Sequence, residues 1–183
     1  MSMQRFYVIA AAMTLTLATA AYAQQSADQR RAQIDANAKD RLEQLFKAQP
    51  DSKELYDKAA GYAVFVATKA GFIVSGGSGT GVAINKSTGK RTYMRMGLGG
   101  IGLGIGAQKY ALIVLFETKE NLDKFLAGGW DSSATAEAAA AKEGAAARAT
   151  FMNGAAFYQI TEKGLMAHAD VTGTKFWKVD DLN

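Results

Sequence analysis

Cysteine is absent from the 183-residue chain, and histidine and proline occur once each. Without cysteine there is no disulfide staple, no thiolate metal centre and no cysteine for lipoprotein acylation. A lone histidine, His168, supplies no zinc-ligand set, so no metal and no cofactor are expected. Stability has to come from burial and hydrogen bonding.

A third absence is local. Residues 61–116 contain no acidic side chain, yet they carry Lys69, Lys86, Lys90, Arg91, Arg95 and Lys109. Residues 24–60 hold seven charges of each sign, and residues 117–183 hold seven basic against ten acidic ones. The net charge of +4 therefore originates in the central segment, apart from Arg5. Six unopposed cations over 56 residues form a surface field for an anionic partner. A nucleic-acid partner is not expected.

The N-terminus reads as an export signal. Arg5 precedes an apolar run, "FYVIAAAMTLTLATA", and Ala21-Tyr22-Ala23 supplies small residues for cleavage. A periplasmic or secreted protein starting at Gln24 is expected, with residues 24–183 as one domain. Within it, 24–60 reads as helical and 61–183 as mainly β. Ser26 is a candidate N-cap for a helix whose stripe is Ile34, Ala38, Leu42, Leu45 and Phe46. Pro50 interrupts it, and Asp51 with Glu54 resembles a capping pair for a second, short helix.

From Gly61 the hydrophobic period becomes two. "GYAVFVAT", a tight turn at Lys69–Gly71, "FIVSGGSGTGVAI" and a hairpin loop at Asn85–Lys90 lead into "RTYMRMGLGGIGLGIGA" and the buried strand "YALIVLFE". A short helix capped by Thr118 buries Leu122, Phe125 and Leu126. A late hairpin, "GAAFYQIT" to "LMAHADVTG", precedes the C-terminal "TKFWKVDDLN". Residues 131–148 combine high helix propensity with a strand-like alternation, and either state fits them.

Six of the nineteen glycines lie in residues 96–108, where Gly97, Gly99 and Gly102 spell G-x-G-x-x-G. A dinucleotide loop needs a helix after the motif, and strand residues follow instead. Met94, Met96 and Leu98 differ in parity from Ile101, Leu103 and Ile105, which predicts a β-bulge at Gly99–Gly100. Gly77, Gly79, Gly81, Gly97, Gly102, Gly104 and Gly106 would then floor one face of a curved antiparallel sheet or partly closed barrel. That floor would accept either a covering helix or a ligand.

No catalytic constellation emerges. "GGSGTG" places Thr80 where a nucleophile elbow needs its last glycine, and His168 shares a strand face with Asp170 but has no nucleophile. Trp177 fits core packing better than interfacial anchoring.

Four ordered blocks, "AAGYAVFVATKAGFIVSGGSGTGVAI", the glycine-rich strand, "AQKYALIVLFETKENLDKFL" and "GLMAHADVTGTKFW", resemble the SYLF lipid-binding domain, a family also described as actin-regulator-like. The likeness covers about residues 54–178. It implies an α+β domain, a strand near 130–140, no catalysis, and binding of acidic phospholipids with help from an N-terminal amphipathic helix and basic residues. Lys69 and the Lys86/Lys90/Arg91 hairpin are then the leading head-group contacts, with Arg95 and Lys109 behind them. The alternative is a structural or protein-interaction module of the cell envelope with an acidic partner.

Overall fold

The computed structural model describes residues 25–71, 74–101, 106–128, 150–151, 153–162, 164–165 and 173–183. The export signal, Gly102, Gly104, residues 131–148 and His168 lie outside these residues.

Ser26 opens the first helix, α1 (Ala27–Ala48), through a capping box. Its hydroxyl accepts from the Gln29 backbone N–H at 3.2 Å, and the Gln29 side chain accepts from the Ser26 N–H at 3.0 Å. Ile34, Ala38, Leu42 and Leu45 are buried, as a stripe at spacings of three and four demands. Helix α2 (Asp51–Lys58) follows directly. The expected Asp51 cap is not made: Pro50 takes the N-cap position, which puts Asp51 already inside the first turn. The Ser52 hydroxyl ties the two helices instead, donating to the Gln49 carbonyl at 2.6 Å.

Among the described residues seven strands form one antiparallel sheet in the order β6-β5-β4-β1-β2-β3-β7. They are β1 (Gly61–Gly71), β2 (Val74–Asn85), β3 (Arg91–Ile101), β4 (Gly106–Phe116), β5 (Ala155–Thr161), β6 (Gly164–Leu165) and β7 (Thr174–Lys178). The expected turn at Lys69–Gly71 is strand, paired on both sides as far as Gly71. Helix α3 (Lys119–Leu126) is capped by Thr118, whose hydroxyl accepts from the Asn121 N–H. The fold is thus α+β with a curved sheet that is not closed. Chain length favours that curvature: Leu165 and Thr174 lie nine residues apart on opposite edge strands. A flat seven-stranded sheet would separate its edges by about 29 Å, nearly the full reach of nine residues.

The sheet has two covered faces. On one, α1 and α2 pack over Val64, Val82, Tyr93, Ile113, Leu115 and Tyr158. On the other, Leu122 and Phe125 of α3 join Phe65, Met94, Met96, Leu112 and Phe116. Burying each large side chain contributes about 1.5–3 kcal/mol, so the two faces supply most of the folding drive.

The anticipated bulge is not there. β2 and β3 keep one register from Ile84↔Arg91 through Gly76↔Gly99 to Val74↔Ile101. Ile101 stays in β3 in the same register, so the parity change begins inside that strand with no inserted residue. β3 ends at Ile101 against β2, and β4 starts at Gly106 against β1.

Candidate functional site: a small-residue shelf with cationic ends

The register divides the expected glycine floor between the two faces. Gly77, Gly79 and Gly81 pair with Leu98, Met96 and Met94, and so point to the α3 face. Gly97 pairs with Ser78 and points to the α1 face. The glycines of β2 serve close approach between strands. A Cβ on Gly79 would lie 2.6 Å from the Ala67 Cβ, and one on Gly81 would lie 2.5 Å from the Phe65 ring. Directly opposed Cβ atoms are normally about 4.5–5.5 Å apart, so the sheet creases toward α3 along β1 and β2. Gly106 opens β4 opposite Gly71.

The six expected head-group cations are also dispersed. Lys69 pairs with Gly77 and shares the α3 face. Lys86 is held at the end of α2, where its ammonium donates to the carbonyls of Tyr56 (2.7 Å) and Asp57 (3.0 Å) and lies 4.6 Å from the Tyr56 ring centre. This is the favourable place for a cation, because the last carbonyls of a helix carry partial negative charge. Arg91 faces Asp35 of α1, with Nε 3.5 Å from the carboxylate, and Lys90 is exposed in the neighbouring loop. This hairpin lies about 20 Å along β3 from Gly97. Only Arg95 and Lys109 come together on one surface.

That surface is the part of the α1 face beyond the helix. A row crosses five strands in register: Lys109 of β4, Thr68 of β1, Ser78 of β2, Gly97 of β3 and Lys175 of β7. The adjacent row is Ala111, Val66, Thr80, Arg95 and Trp177. At about 4.8 Å per strand the shelf is roughly 19 Å wide. Its floor is small and hydroxylated, and its ends are cationic. Among the described residues Arg95, Lys109 and Lys175 take part in no ion pair.

Trp177 corrects the expectation of core packing. It is 47% exposed, the one large hydrophobic so placed among the described residues. Its neighbour Phe176 takes the interior position, against Phe65 (4.9 Å between ring centres) and Phe125 (5.0 Å). Alternation sends Trp177 and Lys175 outward together. The Trp177 ring lies over Gly97, within 3.0 Å of where a Cβ would stand.

Two cavities adjoin on this surface and share Thr80 and Arg95. One, of about 320 Å³, is lined by Val66, Thr68, Ser78, Thr80, Arg95 and Trp177. The other, of about 210 Å³, lies under the start of α1 and includes Arg30, Gln33 and Ile34. Arg30 pairs with Asp181, and that hydrogen bond holds the Asp181 carboxyl below the usual range, with Arg95 adding a smaller pull. Tyr93 anchors the same helix: its hydroxyl donates to Asp35 at 3.0 Å, and burial, with this carboxylate, raises its pKa. Among the described residues no three metal-ligating side chains are gathered. The shelf can neutralise and hydrogen-bond an anion, and Trp177 offers an amphipathic ring beside it.

Residues 97–183 match the model of the Ysc84 family, described as "Las17-binding protein actin regulator". Residues 97–183 are thus similar to a SYLF-family domain. The SYLF family is linked to lipid binding and actin regulation. The chain is also similar to beta cell expansion factor A of Aeromonas veronii, with 41% identity over 157 residues. The alignment takes in 86% of this chain and 60% of that relative's length. Half of the shelf lies within the matched region: Gly97, Lys109, Ala111, Lys175 and Trp177 belong to it, whereas Val66, Thr68, Ser78, Thr80 and Arg95 precede it.

Proposed function

We propose that the chain binds anionic phospholipid surfaces of the cell envelope, without catalysis, through the shelf on the α1 face. The observation that carries this reading is the in-register row with Lys109 and Lys175 at its ends, beside Arg95 and the exposed Trp177. Exposed cations without ion-pair partners attract a negative surface, at about 1 kcal/mol per charge near the bilayer. Tryptophan favours the interfacial layer because its ring is apolar and its N–H is polar. The export signal read in residues 1–23 is the ground for an envelope location.

The mechanism is electrostatic attraction followed by shallow insertion of Trp177. Among the described residues no helix is long and apolar enough to cross a membrane. Co-sedimentation of the protein with phosphatidylglycerol-containing and pure phosphatidylcholine vesicles, at low and high salt, tests the reading. Preference for the anionic vesicles, weakened by salt, is the expected result, because screening acts within about 10 Å at 0.1 M salt. Equal binding to both compositions removes the lipid reading and leaves the basic segment to an acidic protein partner.

A further inference from the structure

The larger of the two cavities, about 320 Å³, has walls of three kinds. The first is aromatic. Trp177 meets Gly97 through two adjacent rim carbons, Cη2 and Cζ3, and no other aromatic ring stacks on it among the described residues. A face of the exposed indole is therefore free beside the cavity. The second wall is hydroxylic. Thr68, Ser78 and Thr80 are exposed, and none of their hydroxyls hydrogen-bonds to another described residue. The third is the guanidinium of Arg95, which has no ion-pair partner among those residues.

Backbone groups offer nothing to a ligand here. β1, β2 and β3 are each paired on both sides, so an extended peptide finds no free strand edge at the cavity. Recognition falls to the side chains. A hydroxyl both donates and accepts, and three of them match a ligand whose own rim does the same. A sugar ring has that rim, and its C–H face is apolar, as stacking on an indole requires. Arg95 adds a planar fork for a carboxylate. Lys109 and Lys175 carry the positive charge on toward both ends of the row.

We infer that the cavity is a binding site for an acidic polysaccharide. One sugar stacks on Trp177, with its hydroxyls on Ser78 and Thr80 and a carboxylate at Arg95, and the chain continues along the row over Thr68 toward Lys109. The inference goes beyond the membrane reading and does not depend on it. A bilayer responds to charge and ring insertion, whereas a sugar also needs the hydroxyls.

The test uses the full chain with Trp130→Phe as background, so that Trp177 is the one fluorophore of its kind. The probe is tetragalacturonate. Its carboxyl-reduced form removes the charge and keeps the sugar rings, and tetraglutamate keeps the charge without the rings. Expected is a saturable change in Trp177 emission with tetragalacturonate, and binding about tenfold weaker or worse for both counterparts. Calorimetry should show a similar loss for tetragalacturonate in Trp177→Ala and in Arg95→Gln. Thr80→Val, which keeps the shape and charge of the surface, should weaken it as well.

Tetraglutamate binding as tightly as tetragalacturonate, with no effect of Trp177→Ala or Thr80→Val, overturns the sugar site and leaves a surface that counts charges. Retention on phosphatidylglycerol-containing vesicles, with no emission or calorimetric response to tetragalacturonate, overturns it and leaves the membrane reading standing. Tetragalacturonate binding that depends on Trp177 and Arg95, without vesicle binding, supports the site and ends the membrane reading.

Discussion

The Trp177 ring of β7 rests on Gly97 of β3, with two ring carbons 3.0 and 3.1 Å from the position a Cβ would take. The absence of a side chain at Gly97 therefore sets the height of the tryptophan above the shelf. Gly97→Val should push the exposed ring outward, with little loss of stability, because the obstructing atoms are the far end of a side chain. The expected signature is a shift in Trp177 emission and a severalfold weaker retention on anionic vesicles, read on a Trp130→Phe background. Unchanged emission would show that the ring does not depend on Gly97.

Glycines elsewhere in the sheet should behave differently. Gly81 faces the Phe65 ring, and a Cβ there would lie 2.5 Å from it, whereas a Cβ on Gly99 meets open space. Gly81→Ala should cost about 1–3 kcal/mol through overpacking. Gly99→Ala should be neutral or stabilise by up to about 1 kcal/mol, since it restricts the unfolded chain. Urea denaturation of the two variants decides this, and equal midpoints would contradict the creased sheet.

Lys86 is expected to matter for stability. Lys86→Ala removes a cation from the C-terminal carbonyls of α2 and from the Tyr56 ring. The loss should be about 1 kcal/mol in denaturation, with vesicle binding largely kept. A large loss of binding at unchanged stability would return Lys86 to the head-group set.

These contrasts show what was legible in the sequence. Helix α1, its Ser26 cap and its stripe were readable because capping and helical period are local signals. The strands were readable for the same reason. The pairing of strands was not: Lys175 and Gly97 face each other across β3 and β7, 78 positions apart in the chain. The alternation in "TKFWK" was the available signal for an outward Lys175 and Trp177, but it names neither the partner strand nor the face. Parity within the glycine stretch misled because it assumed that the hydrophobic residues keep one face, whereas β3 runs on to Ile101 in unbroken register with β2. The basic residues were correctly recognised as unopposed in sequence, yet helix ends and α1 claim two of them in space.

Alkaline titration should report on the sheet beneath α1. Burial, together with the charge of Asp51, raises the Tyr158 pKa to about 12, and burial with a bond to Tyr56 raises Tyr62 as well. For a group that is neutral when protonated, the unfolded state then loses its proton first. Its contribution to stability is full below about pH 10 and is lost as pH rises toward 12. The tyrosinate absorbance of the buried rings should appear only together with loss of circular dichroism. Complete tyrosinate formation near pH 10 in a still-folded protein would contradict the packing of Tyr158.

The central claim is that position on the shelf, and not overall charge, confers binding. A charge-matched comparison tests it most directly. One variant carries Arg95→Gln, Lys109→Gln and Lys175→Gln, and the other Lys53→Gln, Lys58→Gln and Lys124→Gln on α2 and α3. Both lose three positive charges. Co-sedimentation with phosphatidylglycerol-containing vesicles should fall sharply for the shelf variant and stay near the parent level for the helix variant. Equal loss in both, or retention by the shelf variant, would contradict the account.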